Sequence, residues 1–183
     1  MKILIAAGIF PPDIGGPATF SKLLIDQLPP QFELTLLTYG QPRPLDDPRV
    51  NRVSRSWPRG LRHFIYFLRC LRLGQRVDLI FALDPVSAGL PAAAAAKLLR
   101  KKFFVRVAGD WAWEQGYQRW GVQELLDDFQ KRQYGFPVEF FRYLEHLIVQ
   151  LADKIVVPSF YLKRIVANWR VPEEKIKVIY NAF

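Results

Sequence analysis

Short apolar runs rich in β-branched and aromatic residues alternate along this chain with segments of helical periodicity, and no other feature limits its fold so strongly. The runs fall at 2–7, 33–38, 49–54, 78–83, 103–108, 154–157 and 175–179. Between them, helical patterns cover 19–28, 59–73, 87–99, 138–152 and 160–169, the last capped by Ser159. Continuous apolar strands belong to sheets covered on both faces, and the alternation argues parallel pairing. The pattern predicts one α/β domain over 1–183: three layers, α/β/α, around a mostly parallel sheet of about seven strands. The stretch 109–137 is aromatic and weakly periodic, with one helix expected near 122–133.

In such sheets ligands bind beyond the carboxyl ends of the strands, where the strand order reverses. Those ends carry Gly8 to Pro17, Asp84-Pro85, Gly109-Asp110 and Pro158-Ser159. In the first loop Pro11 and Pro12 stiffen the chain, while Gly15 and Gly16 leave the main chain approachable just before a helix start. Exposed N–H groups there suit an anion. A glycine turn that merely closes a βα corner is the plainer reading.

The net charge of +9 calls for an anionic partner: nucleic acid, an anionic membrane or a phosphorylated substrate. It is concentrated between Pro48 and Val77, where eight arginines occur with no acidic residue. At 100° per residue, Leu61, Phe64, Phe67, Leu68 and Leu71 share one face of the helix there. Arg59, Arg62, Arg69, Arg72 and Arg76 share the other, with Tyr66 interleaved, and these six are the expected membrane-facing residues. The plainer alternative is a solvated face opposite a core stripe. Nothing in the chain resembles a nucleic-acid recognition element, so no nucleic-acid partner is expected.

The lone Cys70 lies in an apolar helix and reads as a packed thiol. His63 and His146 have no spacing partner, so no metal site is expected. No run reaches the ~18 apolar residues of a spanning helix, and Met1-Lys2 leads straight into a strand. The expected location is cytoplasmic, peripheral at the inner face of the membrane. A dinucleotide oxidoreductase is disfavoured, because the first loop is not Gly-x-Gly-x-x-Gly and the second strand ends Thr38-Tyr39-Gly40 without a ribose-binding acid.

Three segments in order carry a family resemblance: Phe10-Pro11-Pro12-Asp13-Ile14-Gly15-Gly16, then Ala152-Asp153-Lys154-Ile155-Val156-Val157-Pro158-Ser159, then Lys177-Val178-Ile179-Tyr180-Asn181-Ala182. Together they resemble family-4 glycosyltransferases of the GT-B fold. The likeness covers the whole chain and matches the Rossmann-like, N-terminal, acceptor-side half. In that family the segment matching Val178 to Phe183 leads into the hinge before a second Rossmann-like domain, which carries most nucleotide-sugar contacts. That domain is the missing partner this resemblance implies.

The resemblance implies retaining transfer of a sugar from a nucleoside-diphosphate sugar to an acceptor hydroxyl, on a lipid-linked acceptor or a cell-surface glycan precursor. It implies neither cofactor nor metal. Gly15 and Gly16 would meet the donor diphosphate. Asp110, where many relatives have a histidine, is the candidate catalytic group; capping its turn or pairing with Arg106 are the alternatives. Trp111, Trp113, Glu114, Tyr117 and Asp84 are the candidate acceptor-binding residues, against a satellite-core reading for the tryptophans and a helix cap for Asp84. The alternative function is a non-catalytic basic module that docks on an anionic membrane or partner protein.

Overall fold

The computed structural model of the protein describes residues 1–44 and 46–181. Seven parallel strands form one sheet in the order β3-β2-β1-β4-β5-β6-β7. They are β1 (Lys2–Ala7), β2 (Glu33–Tyr39), β3 (Val50–Val53), β4 (Leu79–Ala82), β5 (Lys102–Arg106), β6 (Lys154–Val157) and β7 (Ile176–Val178). Seven α-helices accompany them among the described residues: α1 (Gly16–Gln27), α2 (Arg59–Gly74), α3 (Gly89–Leu99), α4 (Trp111–Arg119), α5 (Leu126–Phe129), α6 (Phe136–Leu151) and α7 (Phe160–Ala167). The strands lie where the apolar runs predict them. The chain builds outward from β1 through β2 to β3, then returns to place β4 on the other flank of β1. The reversal of strand order therefore falls between β1 and β4.

Alternation along β1 divides the core. Leu4 and Ala6 join Tyr66 and Cys70 of α2, the alanines of α3, Ile148 of α6 and Ile165 of α7. Ile3, Ile5 and Ala7 face the opposite side, where α1 alone among the described helices packs, through Phe20, Leu24 and Ile25. The small residues of α3 allow it to sit close on the sheet, as its sequence implies.

Two expectations need correction. The stretch 109–137 holds two helices, α4 and α5, instead of one. Trp113, Leu126, Tyr134 and Phe141 surround a satellite core of Ala112, Val122, Phe129 and Val138, so long-range packing supplies the order that periodicity does not signal. In α2 the inward face is Tyr66, Cys70 and Gly74. Tyr66 is wholly buried, with its hydroxyl within hydrogen-bonding distance of the carbonyls of Leu37 and Ala7 (2.8 and 3.2 Å). It cannot face a membrane.

Candidate functional site

At the carboxyl ends of β1, β4 and β5 lies an open cleft of about 750 Å³. One wall is the start of α1. Gly15 caps this helix with φ 152°, a conformation that L side chains rarely adopt, and a Cβ there would meet Ile9 Cδ1 at 2.9 Å. Gly16 lines the cleft, and a Cβ there would meet nothing within 4 Å. The Gly16 N–H stands at the first helical position, where no intrahelical acceptor exists.

The loop leading to this wall is tethered by two arginines of the basic stretch. Arg52 donates from Nη2 to the Pro11 carbonyl (2.7 Å) while a bidentate pair with Asp46 neutralises it. Arg55 holds Asp13 through its two terminal nitrogens, Nη1 and Nη2. Arg49 is likewise paired with Asp47. Three of the eight arginines thus serve the structure. The other five, Arg59, Arg62, Arg69, Arg72 and Arg76, make no ion pair among the described residues.

The floor and far wall come from β4, β5 and α4. Asp84 accepts the Ala88 N–H through Oδ1 (2.9 Å), capping the turn into α3, and its other oxygen faces Gly8 across the cleft floor. Burial pushes its carboxyl above the usual carboxylate range, against the pull of the backbone N–H groups around it. Glu114 and Trp111 line the opposite side. The Glu114 carboxyl makes no hydrogen bond among the described residues, and desolvation raises its pKa, helped by the charges of Asp110 and Asp84. Arg106 closes the floor and is the one cation lining the cleft among the described residues. It reaches Asn181 with Nη2 (2.7 Å).

Gly15, Gly16, Asp84, Trp111 and Glu114 are therefore brought together, and three other expectations are not met. Asp110 is only 2% exposed and does not line the cleft. It caps α4, accepting from Trp113 N through Oδ1 (2.8 Å) and from Gln130 Nε2 through Oδ2 (2.7 Å), so both oxygens are engaged inside the protein. Nor does it pair with Arg106. Beside it the buried Glu145 accepts the N–H groups of Trp111 and Ala112 (2.9 and 3.0 Å), and burial together with Asp110 pushes its carboxyl far up. Both acids hold the first turn of α4, and neither lines the cleft.

Trp113 belongs to the satellite core and donates its indole N–H to the Glu124 carbonyl (2.9 Å). Tyr117 is exposed beside it, off the cleft lining. Sequence reasoning missed Arg106, Phe20, Ser87 and Gln118 as lining residues. A charge at the end of an apolar strand was the signal available for Arg106.

On the outer surface, Arg59, Arg69, Arg72 and Arg76 are exposed, and Arg62 is half-buried over the Tyr39 ring (5.6 Å). Part of the apolar side of α2 also points outward, Leu61, Phe64 (56% exposed) and Leu68, with Trp57 just before the helix, while Phe67 and Leu71 pack on the core. Among the described residues no helix is long and apolar enough to cross a membrane, and no three His, Cys, Asp or Glu side chains are gathered to hold a metal ion. Ala182 and Phe183, which complete the hinge-like segment, lie outside the described residues.

Comparison with known proteins agrees with this geometry. No curated protein sequence matches. Among solved structures, the Anabaena protein HepE (Alr3699) in complex with UDP is similar over 100% of this chain and 44% of its own, with TM-score 0.64 and 14% identity. The lipopolysaccharide outer core galactosyltransferase WaaB covers 100% of this chain and 46% of its own, with TM-score 0.61 and 15% identity. The UDP-GlcNAc 2-epimerase from Neisseria meningitidis bound to UDP-GlcNAc covers 97% and 45%, with TM-score 0.63 and 14% identity. The chain thus spans less than half the length of the structures it resembles, and at these identities the likeness is one of fold, the Rossmann-like GT-B type. The model of Glycosyltransferase Family 4 matches residues 14–183, nearly the entire chain, and the protein belongs to that family.

Proposed function

We propose that the chain is the acceptor-side half of a retaining, nucleotide-sugar-dependent glycosyltransferase that acts on a lipid-linked acceptor at the cytoplasmic face of a membrane. The observation that carries this reading is the cleft at the β1/β4 switch point, walled by Gly15 and Gly16 and by Asp84, Trp111 and Glu114, in a chain of Glycosyltransferase Family 4. The UDP and UDP-with-glucose complexes of HepE and the galactosyltransferase named above support a nucleotide sugar as donor. The second half of the cleft would come from a nucleotide-binding domain.

In this reading the Gly16 N–H faces the diphosphate, and the missing Cβ lets the phosphates close on the main chain. Trp111 offers a ring face to a sugar, and the unpaired Glu114 carboxylate accepts from an acceptor hydroxyl. That hydroxyl oxygen bonds to the anomeric carbon as the bond from carbon to phosphate oxygen breaks, and its proton passes to the departing phosphate. No side chain acts as nucleophile. The leaving charge is met by backbone amides and cationic side chains, without a metal.

The outward stripe of Trp57, Leu61, Phe64 and Leu68, flanked by unpaired arginines, supports docking on anionic lipid. Each basic residue near such a surface contributes about 1 kcal/mol. The same stripe is the observation favouring the second reading, a non-catalytic membrane-docking module, because it does not depend on the cleft.

The two readings part in a donor screen. Release of nucleoside diphosphate is followed with and without lipid acceptors, for the whole gene product and for this chain alone. Acceptor-dependent release by the whole product and none by the isolated chain is expected. Absence of any acceptor-dependent release, with liposome binding intact, favours the docking module.

A further inference from the structure

Buried arginines normally come with an acid, because a guanidinium removed from water without a compensating charge is strongly unfavourable. Arg52 follows that rule: it is buried, and Asp46 takes both Nε and Nη2. Arg106 breaks it. It is at least as buried, 3% exposed against 7% for Arg52, yet no carboxylate pairs with it among the described residues. Its companions are neutral. Nη2 donates to the Asn181 amide oxygen, and the guanidinium carbon lies 4.3 Å from the centre of the Phe20 ring. Nη1 is buried and has no hydrogen-bond partner among the described residues.

The place of this residue matters as much as its isolation. It stands at the carboxyl end of β5, on the face covered by α1, where Phe104 two residues earlier packs into the core. A residue there only to fill space would be apolar. Instead it lines the cleft, facing the same space as Asp84, Glu114 and the Gly15–Gly16 wall. Desolvation by burial pulls its pKa down, so the surroundings without ligand do not favour the charge they hold.

We propose that Arg106 is the anion receptor of the cleft: Nη1 takes an oxygen of a substrate phosphate, with Asn181 and Phe20 holding the guanidinium plane in position. The phosphate comes either from the donor diphosphate or from an acceptor that carries one. The proposal rests on the transferase reading only for the identity of that anion. The site itself stands on the unpaired guanidinium.

The 183-residue chain is titrated with inorganic phosphate, UDP and glucose 1-phosphate while thermal unfolding is followed, alongside Arg106→Met and Arg106→Lys. The expected result is an anion-dependent rise in Tm for the wild type that weakens about tenfold or more in binding for Arg106→Met. Without ligand, Arg106→Met should unfold no earlier than the wild type, because it removes an uncompensated charge and keeps the stem. Arg106→Lys, which keeps the charge and loses the fork, should bind at an intermediate strength.

Because a variant can fail to fold, the wild-type Nε–Hε resonance of Arg106, shifted by the Phe20 ring, is also followed; it should move on addition of phosphate. A wild type with no anion-dependent change in Tm or in that resonance overturns the proposal, as does an Arg106→Met chain that keeps the full effect. A stronger response to UDP assigns the anion to the donor, and a stronger response to glucose 1-phosphate assigns it to the acceptor. Anion binding at Arg106 with no transfer by the whole gene product would sink the transferase reading and leave the anion site standing.

Discussion

The carboxyl of Glu114 rests against the Cα of Gly109, with no room for a Cβ between them. The turn after β5 thereby fixes where the Glu114 carboxylate, which has no hydrogen-bonding partner among the described residues, stands in the cleft. Gly109→Ala should displace that carboxylate and leave the sheet intact, raising KM for the acceptor with an unchanged circular dichroism spectrum. Glu114→Gln should do the same and also alter the pH profile. Burial and the charges of Asp110 and Asp84 raise the Glu114 pKa, so wild-type transfer rises as pH climbs through that raised value. An acid limb that persists unchanged in Glu114→Gln would assign it to another group.

The two adjacent glycines should fail in different ways. Gly15→Ala forces a side chain into φ 152° against Ile9 and should cost about 1–3 kcal/mol of stability, seen as a lower Tm. At Gly16, in the cleft lining, a Cβ has open space around it, so in Gly16→Val Tm should hold while transfer by the whole gene product is abolished. An active Gly16→Val enzyme would remove that wall from the reaction.

The exposed and buried sides of α2 separate docking from folding. Phe64→Glu and Leu68→Glu should each weaken binding to anionic liposomes about tenfold, with Tm unchanged. Tyr66→Phe should lose about 1 kcal/mol of stability through its bonds to Leu37 and Ala7, with liposome binding intact. Equal flotation by all three variants and the wild type would dismiss the docking surface.

His146 gives a pH signature far from the cleft. It stacks on Trp169, and burial, with help from Arg142 and Arg170, holds its pKa down to about 4. In the unfolded chain the ring protonates near 6.5. The stability it contributes is therefore complete above that value and is lost as pH falls toward 4. Urea unfolding between pH 7 and 4 should show this loss, and His146→Phe should flatten it.

The strands and most helices were readable because a strand buried on both faces must be apolar throughout, and Gly, Pro or Ser159 marks the element ends. What could not be read was direction. Tyr66 and Phe64 lie two positions apart on one amphipathic helix, and only the carbonyls of β1 and β2, distant in sequence, decide which turns inward. Helix α4 escaped notice because its order comes from Glu145, more than thirty residues downstream, and from the satellite core. Asp110 looked catalytic from its place after β5; Gln130 and the Trp113 N–H, which occupy it, are invisible until the chain folds.

Among the described helices α1 alone packs on one side of the sheet, and the same helix forms a wall of the cleft. It cannot tilt to widen that cleft without baring Ile3, Ile5 and Leu36 beneath it. Cleft width and the solvent protection of β1 and β2 are thus one mechanical variable. Amide hydrogen exchange in those two strands would register any ligand that shifts α1, even one that never touches the sheet.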